Sequence, residues 1–159
     1  DYIIGDMDSI EKKLKNKYFD KIIKDNDQSE NDLRKALKWL RDKNIKKITI
    51  IGGTGKRDDH SLGNIFTLLQ YPTNMKINMY TNFGYFSIIE KNCKIDSYKG
   101  QQISIFCIDP DIKITSINLK YKLNNISLSS LYKGTLNESV YKHFTLNLSH
   151  GKILLFQTF

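Results

Sequence analysis

The stretch Gly5-Asp6-Met7-Asp8-Ser9 places two carboxylates one residue apart, directly after the apolar Tyr2-Ile3-Ile4 and before a predicted helix from Ile10 to Lys17. Carboxylates held about 5 Å apart at an effective dielectric of about 20 repel by roughly 3 kcal/mol. A divalent cation reverses that sign. Hard oxygen donors suit Mg²⁺, which takes one or two protein carboxylates and completes its shell with water and phosphate. The plainer alternative is that Asp8 or Ser9 caps the helix and Asp6 occupies the turn.

Two further stretches could share that chemistry. Asp25-Asn26-Asp27-Gln28-Ser29-Glu30-Asn31-Asp32 leads into Leu33, Ala36, Leu37 and Leu40, the spacing of an amphipathic helix. Its acids either complement the positive end of the helix dipole or, through Asp32, face the same cleft as Asp6 and Asp8. Successive strands of an α/β sheet open their loops toward one edge, which favours such convergence. Gly52-Gly53-Thr54-Gly55-Lys56-Arg57-Asp58-Asp59-His60 follows the β-branched run Lys46 to Ile51 and precedes Leu62, Ile65, Phe66 and Leu69, the apolar face of another helix. Strand, glycine-rich loop and helix in that order make a phosphate cradle, because glycine lets the backbone approach and the helix start offers free N–H groups. The Gly-Lys-Ser/Thr ending of a Walker loop and the spaced GxGxxG of dinucleotide folds are both missing.

The elements that must position these residues follow from periodicity. Ile10, Leu14 and Tyr18 form one stripe on a short helix, Phe19 to Lys24 reads as a strand, and Trp39 as packing beside the second helix. Met75 to Tyr80 is a further sheet strand. From Gly84 the runs Phe86 to Glu90, Ile103 to Ile108, Ile112 to Leu119, Phe144 to Leu148 and Ile153 to Phe156 read as β, with period two clearest at Phe144, Leu146 and Leu148. The expected architecture is therefore a Rossmann-like α/β domain with a mainly parallel sheet over residues 1–82, followed by an antiparallel β-sandwich or barrel over 83–159.

At 159 residues, 40 % apolar and 26 % charged, the composition is globular and argues against disorder. No apolar run reaches membrane-spanning length and no leader pattern is visible, so a cytoplasmic protein is expected. Cys93 and Cys107 carry no zinc spacing and are expected as reduced thiols; His143 and His150 read as surface residues. The net charge of +8 favours an anionic partner, but the lysines are scattered and lack the aromatic platform of single-strand binders. No nucleic-acid or membrane partner is expected. The rivals are another Mg²⁺-dependent nucleotide phosphotransferase or pyrophosphohydrolase, and a basic nucleic-acid module.

Taken together, Ile4-Gly5-Asp6-Met7-Asp8-Ser9, Asp27-Gln28-Ser29-Glu30-Asn31-Asp32, the Gly52 to His60 loop with Asn64, Leu119-Lys120-Tyr121-Lys122-Leu123 and Gly134-Thr135-Leu136-Asn137 resemble the thiamine pyrophosphokinase family. The resemblance implies transfer of diphosphate from ATP to thiamine, an α/β nucleotide domain and a β-sandwich that builds a homodimer whose sites draw on both subunits. It further implies Asp6, Asp8 and Asp32 as Mg²⁺-associated acids, and Gln28, Asn31, Lys35, Gly53, Gly55, Arg57 and Asp59 as residues that touch ATP or shape its site. Arg57 and Asp59 count with the three acids as catalytic. Tyr121, Leu136 and Asn137 fall at the thiamine positions, Tyr121 as a stacking ring. Asp59 or Asp32 would orient or deprotonate the thiamine hydroxyl, while His60 is expected to hold the loop or begin the helix. The family also has an Asp-Gly-Gly turn ahead of the first motif, so the first domain is expected to be N-terminally incomplete. Asn31 stands where Thr is usual, Lys56 where Gly is frequent, and Leu136 where Ser often precedes Asn137.

Overall fold

The computed structural model describes residues 1–71 and 75–159. The chain divides into two compact units, 1–46 and 47–159.

In the first unit, β1 (Ile3–Gly5) and β2 (Ile22–Lys24) pair in parallel, with Ile3 opposite Ile22 and Gly5 opposite Lys24, and make a sheet of their own. The intervening α1 (Lys12–Lys17) is shorter than its stripe suggests, because Glu11 at its start is extended and offers no side-chain cap. The expected strand over Phe19 to Lys24 is half 3₁₀ turn (Phe19–Lys21), and only Ile22–Lys24 is extended. α2 (Asp32–Asp42) begins where Asn31 Oδ1 accepts the Arg34 N–H at 2.9 Å, an N-cap of ordinary kind. It packs on β1, buries Leu37, and sets Trp39 against Tyr2 with ring centroids 4.8 Å apart.

The second unit opens with β3 (Lys47–Ile50), α3 (Asp58–Gln70) and β4 (Lys76–Tyr80), a βαβ unit with β3 and β4 parallel. β5 (Gly84–Ile89), β6 (Cys93–Asp96), β7 (Gln102–Phe106), β8 (Lys113–Ile117), β9 (Ile126–Ser127), β10 (Asn137–Glu138), β11 (His143–Leu148) and β12 (Ile153–Thr158) follow. Six strands form one sheet in the order β10-β7-β12-β5-β4-β3, and four form another in the order β6-β11-β8-β9. Ile103, Ile105, Ile153 and Leu155 of the first sheet meet Ile114, Phe144 and Leu146 of the second in one core, which explains the alternation along β7 and β11. α3 lies against β5 and β12, burying Thr67, Leu68 and Leu69. Leu62, expected on that apolar face, is 57 % exposed, since the first turns of α3 border the glycine loop. Cys107 is buried and Cys93 half-buried, both free thiols; His150 is exposed 3.5 Å from Asp109, and His143 is half-buried in β11.

The chain is thus a mixed α/β fold, but the mainly parallel, Rossmann-like sheet is not found. Parallel pairing is confined to β1–β2 and β3–β4, and every other described strand pair is antiparallel. The cause is the hairpin Thr81-Asn82-Phe83, which returns β4 directly into β5 where a parallel sheet needs a crossover. The boundary expected at Asn82-Phe83 falls on that hairpin, inside the second unit.

Gly84 is the tightest point of this junction. A Cβ there would stand 2.1 Å from the Gln157 carbonyl oxygen, which belongs to the central strand and cannot move aside. Gly84→Ala is expected to destabilise the protein by about 3 kcal/mol or more, read as a lowered thermal unfolding midpoint. An unchanged midpoint would show that the hairpin is not under this constraint.

Candidate active site: an acidic loop and a phosphate cradle

Most acidic residues of the first unit lie on the loops that leave β1 and β2. Gly5 has φ +150°, and a Cβ there would lie 2.9 Å from Asp32 Oδ1, so the Asp32 carboxylate rests directly on the loop backbone. Asp6 Oδ1 accepts the Asp8 N–H at 3.0 Å. That bond, with smaller contributions from the Gln28 side chain and the Lys35 charge, holds the Asp6 carboxyl below its usual range and keeps it ionised. Asp8 is exposed and points to no described partner. Among the described residues no three His, Cys, Asp or Glu side chains gather as a ready metal cage. The donor set fits a hard divalent cation that needs only one or two carboxylates and draws its other ligands from water and phosphate, and does not fit a closed structural zinc site.

Three residues expected near ATP have supporting positions here. Gln28 reaches Asp6, and Asn31 caps α2. Lys35 is 3 % exposed; its Nζ donates to the Asp25 carbonyl at 3.0 Å and stands 3.9 Å from Asp32 Oδ1. A buried ammonium beneath two acidic loops offsets their mutual repulsion and fixes their backbone. Hydropathy gives no hint of this, because lysine at that helix position reads as solvated.

The cradle belongs to the second unit. A pocket of ≈ 220 Å³ is lined by Gly52, Gly53, Thr54, Lys56, Arg57, His60, Ser61 and Asn64. Asn64 Nδ2 donates to the Gly53 carbonyl at 2.9 Å and pins the loop to α3. Ser61 Oγ donates to the Arg57 carbonyl at 2.9 Å and receives the Gly55 N–H at 3.3 Å. The sequence reading missed Ser61, although a serine four residues into a helix start commonly bonds back to the preceding carbonyl. Arg57 closes on Asp59 through Nε at 3.1 Å and through a terminal nitrogen at 2.6 Å. The Arg57 guanidinium, then the His60 backbone N–H, hold Asp59 below the usual carboxylate range, so the pair stays ionised throughout neutral pH. His60 sits in the first turn of α3 as a pocket wall.

A third group lies elsewhere in the same unit. Asn137 is 4 % exposed, and its amide is engaged by the chain around it: Oδ1 accepts the Tyr121 N–H at 3.1 Å and the Glu138 N–H at 2.8 Å, while Nδ2 donates to the Tyr121 carbonyl at 2.8 Å. Tyr121, held in this way, is 60 % exposed. Lys120 stands 5.9 Å from that ring centroid and pairs with Glu138 at 3.1 Å. Leu136 is 75 % exposed at φ +58°, its N–H directed at Ser104 Oγ.

A glycine-loop pocket on a βαβ unit, an acidic loop suited to a hard cation and a two-sheet β unit carrying an exposed aromatic ring are parts that a nucleotide-using phosphoryl-type enzyme needs. The comparisons narrow it. The description "Thiamin pyrophosphokinase, catalytic domain" matches residues 1–81, and "Thiamin pyrophosphokinase, substrate-binding domain" matches 84–156. The chain is 31 % identical over 139 residues to a thiamine pyrophosphokinase of Bacillus subtilis, covering 83 % of this chain and 64 % of the relative. It is 26 % identical to thiamine pyrophosphokinase 1 of Oryza sativa, covering 87 % and 58 %. It thus spans less than two thirds of the length of either relative. The solved thiamine pyrophosphokinase of Bacillus subtilis superposes with TM-score 0.79 at 26 % identity, over 98 % of this chain and 77 % of that one. The Candida albicans enzyme shares the fold, with TM-score 0.80 at 20 % identity over 99 % and 72 %. This chain belongs to the thiamin pyrophosphokinase family.

Lys35→Met removes the donor to the Asp25 carbonyl, a loss of about 1–3 kcal/mol for a buried polar group. The expected outcome is a lower denaturation midpoint together with faster proteolytic cleavage within 25–31. Unchanged stability and cleavage would return Lys35 to a ligand-facing role.

Proposed function

We propose that this protein transfers diphosphate from ATP to thiamine, giving thiamine diphosphate and AMP. Family membership and the phosphate cradle at the start of α3 support this reading, and the cradle is the observation that carries it. The thiamine hydroxyl oxygen attacks the β-phosphorus, the bond to the oxygen bridging the α- and β-phosphorus breaks, and AMP leaves with that electron pair. Gly53, Gly55 and Arg57 cradle the phosphates, while Gln28, Asn31 and Lys35 shape the acidic loop. Mg²⁺ held by carboxylates from among Asp6, Asp8 and Asp32 would offset phosphate charge when bound. Asp59 orients Arg57 until the phosphates arrive, and the hydroxyl proton passes to Asp59 or Asp32. Tyr121 stacks on thiamine beside Leu136, and Asn137 positions Tyr121. We assign residues 1–82 to ATP and metal, 83–159 to thiamine and dimerisation, and the protein to the cytoplasm.

A homodimer is part of the same proposal. The cradle follows β3 and Asn137 opens β10, and these are opposite edges of one six-stranded sheet. Five strand spacings separate them, about 24 Å at the usual 4.8 Å per strand. Diphosphate transfer needs reacting atoms about 3–3.5 Å apart, so the cradle of one copy is best completed by the Tyr121 region of a second. An apolar groove of ≈ 490 Å³ lined by Phe66, Ile108, Pro110, Leu128 and Leu131 offers surface for such an association.

Incubation with ATP, Mg²⁺ and thiamine should yield AMP and thiamine diphosphate in equal amounts; ADP with thiamine monophosphate would overturn the reading. Asp8→Asn is expected to lower turnover by about 10²–10³-fold, the scale of losing one electrostatic stabiliser, with an unchanged circular dichroism spectrum. Tyr121→Ala is expected to raise the thiamine KM roughly 3–30-fold, the range of a cation–π contact, and to leave ATP affinity alone. Light scattering should give twice the 18.5 kDa chain mass, and a strict monomer retaining full activity would remove the shared-site proposal.

A further inference from the structure

Two cations line the cradle, and they differ in how far their charge is already spent. Arg57 is closed on Asp59 at 2.6 and 3.1 Å, so the pair presents almost no net charge to the pocket. Lys56 is exposed on the same pocket and has neither a hydrogen-bond nor an ion-pair partner among the described residues. The loop that carries it is fixed from both sides, by Asn64 on Gly53 and by Ser61 on Gly55 and Arg57. An arriving polyanion therefore meets one uncommitted ammonium on a rigid loop, together with the N–H groups that open α3. The guanidinium beside it remains neutralised until Asp59 lets go.

We infer that Lys56, rather than Arg57, is the first electrostatic anchor of the cradle, and that what it anchors is the polyphosphate chain of a nucleoside triphosphate. Arg57 joins afterwards by exchanging the Asp59 carboxylate for a phosphate oxygen. The inference rests on the reading of this pocket as the phosphate site, and it adds to that reading an order of engagement and a particular residue. A lysine suits the task of capture: its ammonium is a mobile point charge on a flexible stem, while the planar fork of Arg57 suits the later, directional contact.

The test is calorimetric titration, without thiamine, of the wild type and of K56A, K56R and K99A. Lys99 is an exposed lysine of the same unit that does not line the pocket. The probes are ATP and inorganic tripolyphosphate. K56A is expected to weaken both about tenfold at low salt, the scale of a charge-assisted hydrogen bond, and the gap from wild type should narrow as salt screens the charge. K56R should recover most of the loss, and K99A should match the wild type. Equal losses in K56A and K99A, or none in K56A, would overturn the inference while leaving the phosphate site standing. A wild type that binds neither probe would overturn the phosphate site itself, and the inference with it.

Discussion

One continuous backbone ladder governs the second unit. Hydrogen bonding runs without a break from β3 through β4, β5, β12 and β7 to β10, so the strand that launches the cradle and the strand that begins with Asn137 are rigidly spaced. Side chains can be repacked at modest cost, but the width of a sheet is set by its strand count. That width holds the glycine-loop pocket and the Tyr121 group apart within a single copy. The βαβ unit and the sandwich are correspondingly not separate bodies joined by a linker, since β4 and β5 are neighbours across a three-residue turn.

Electrostatics is handled differently at each of the three groups. In the first unit, anionic side chains are concentrated and a buried lysine sits beneath them. In the cradle, a cation and an anion are stored closed on one another within the α3 entry turn. Around Tyr121 a lysine–glutamate pair flanks an aromatic face. These pairings limit the repulsion and desolvation that the folded chain must withstand, while Asp8 and Lys56 stay uncommitted at the surface.

Much of this was legible in the residues. The β-branched run before Gly52 and the glycine loop itself located the βαβ unit, because periodicity and turn chemistry there agree. The strands at Phe144 to Leu148 and Ile153 to Phe156 were legible for the same reason, with Phe144 and Leu146 fully buried as their alternation requires. The sheet's mixed character was not, since pairing partners are set by a hairpin whose Thr-Asn-Phe sequence carries no standard turn signature. β9 and β10, two residues each, hold no pattern long enough to read. Among the candidate site residues, Asp6, Asp8, Arg57 and Asp59 stood out by type and spacing. The burial of Lys35 and the engagement of the Asn137 amide were not, because both depend on backbone carbonyls and N–H groups distant in sequence or invisible in it.

The Tyr121 ring is not bare. Lys120 already leans toward its face and is kept protonated, with a raised pKa, chiefly by its hydrogen bond to Glu138. A cationic ring stacking there, as proposed for thiamine, would have to displace the Lys120 ammonium from the Tyr121 face.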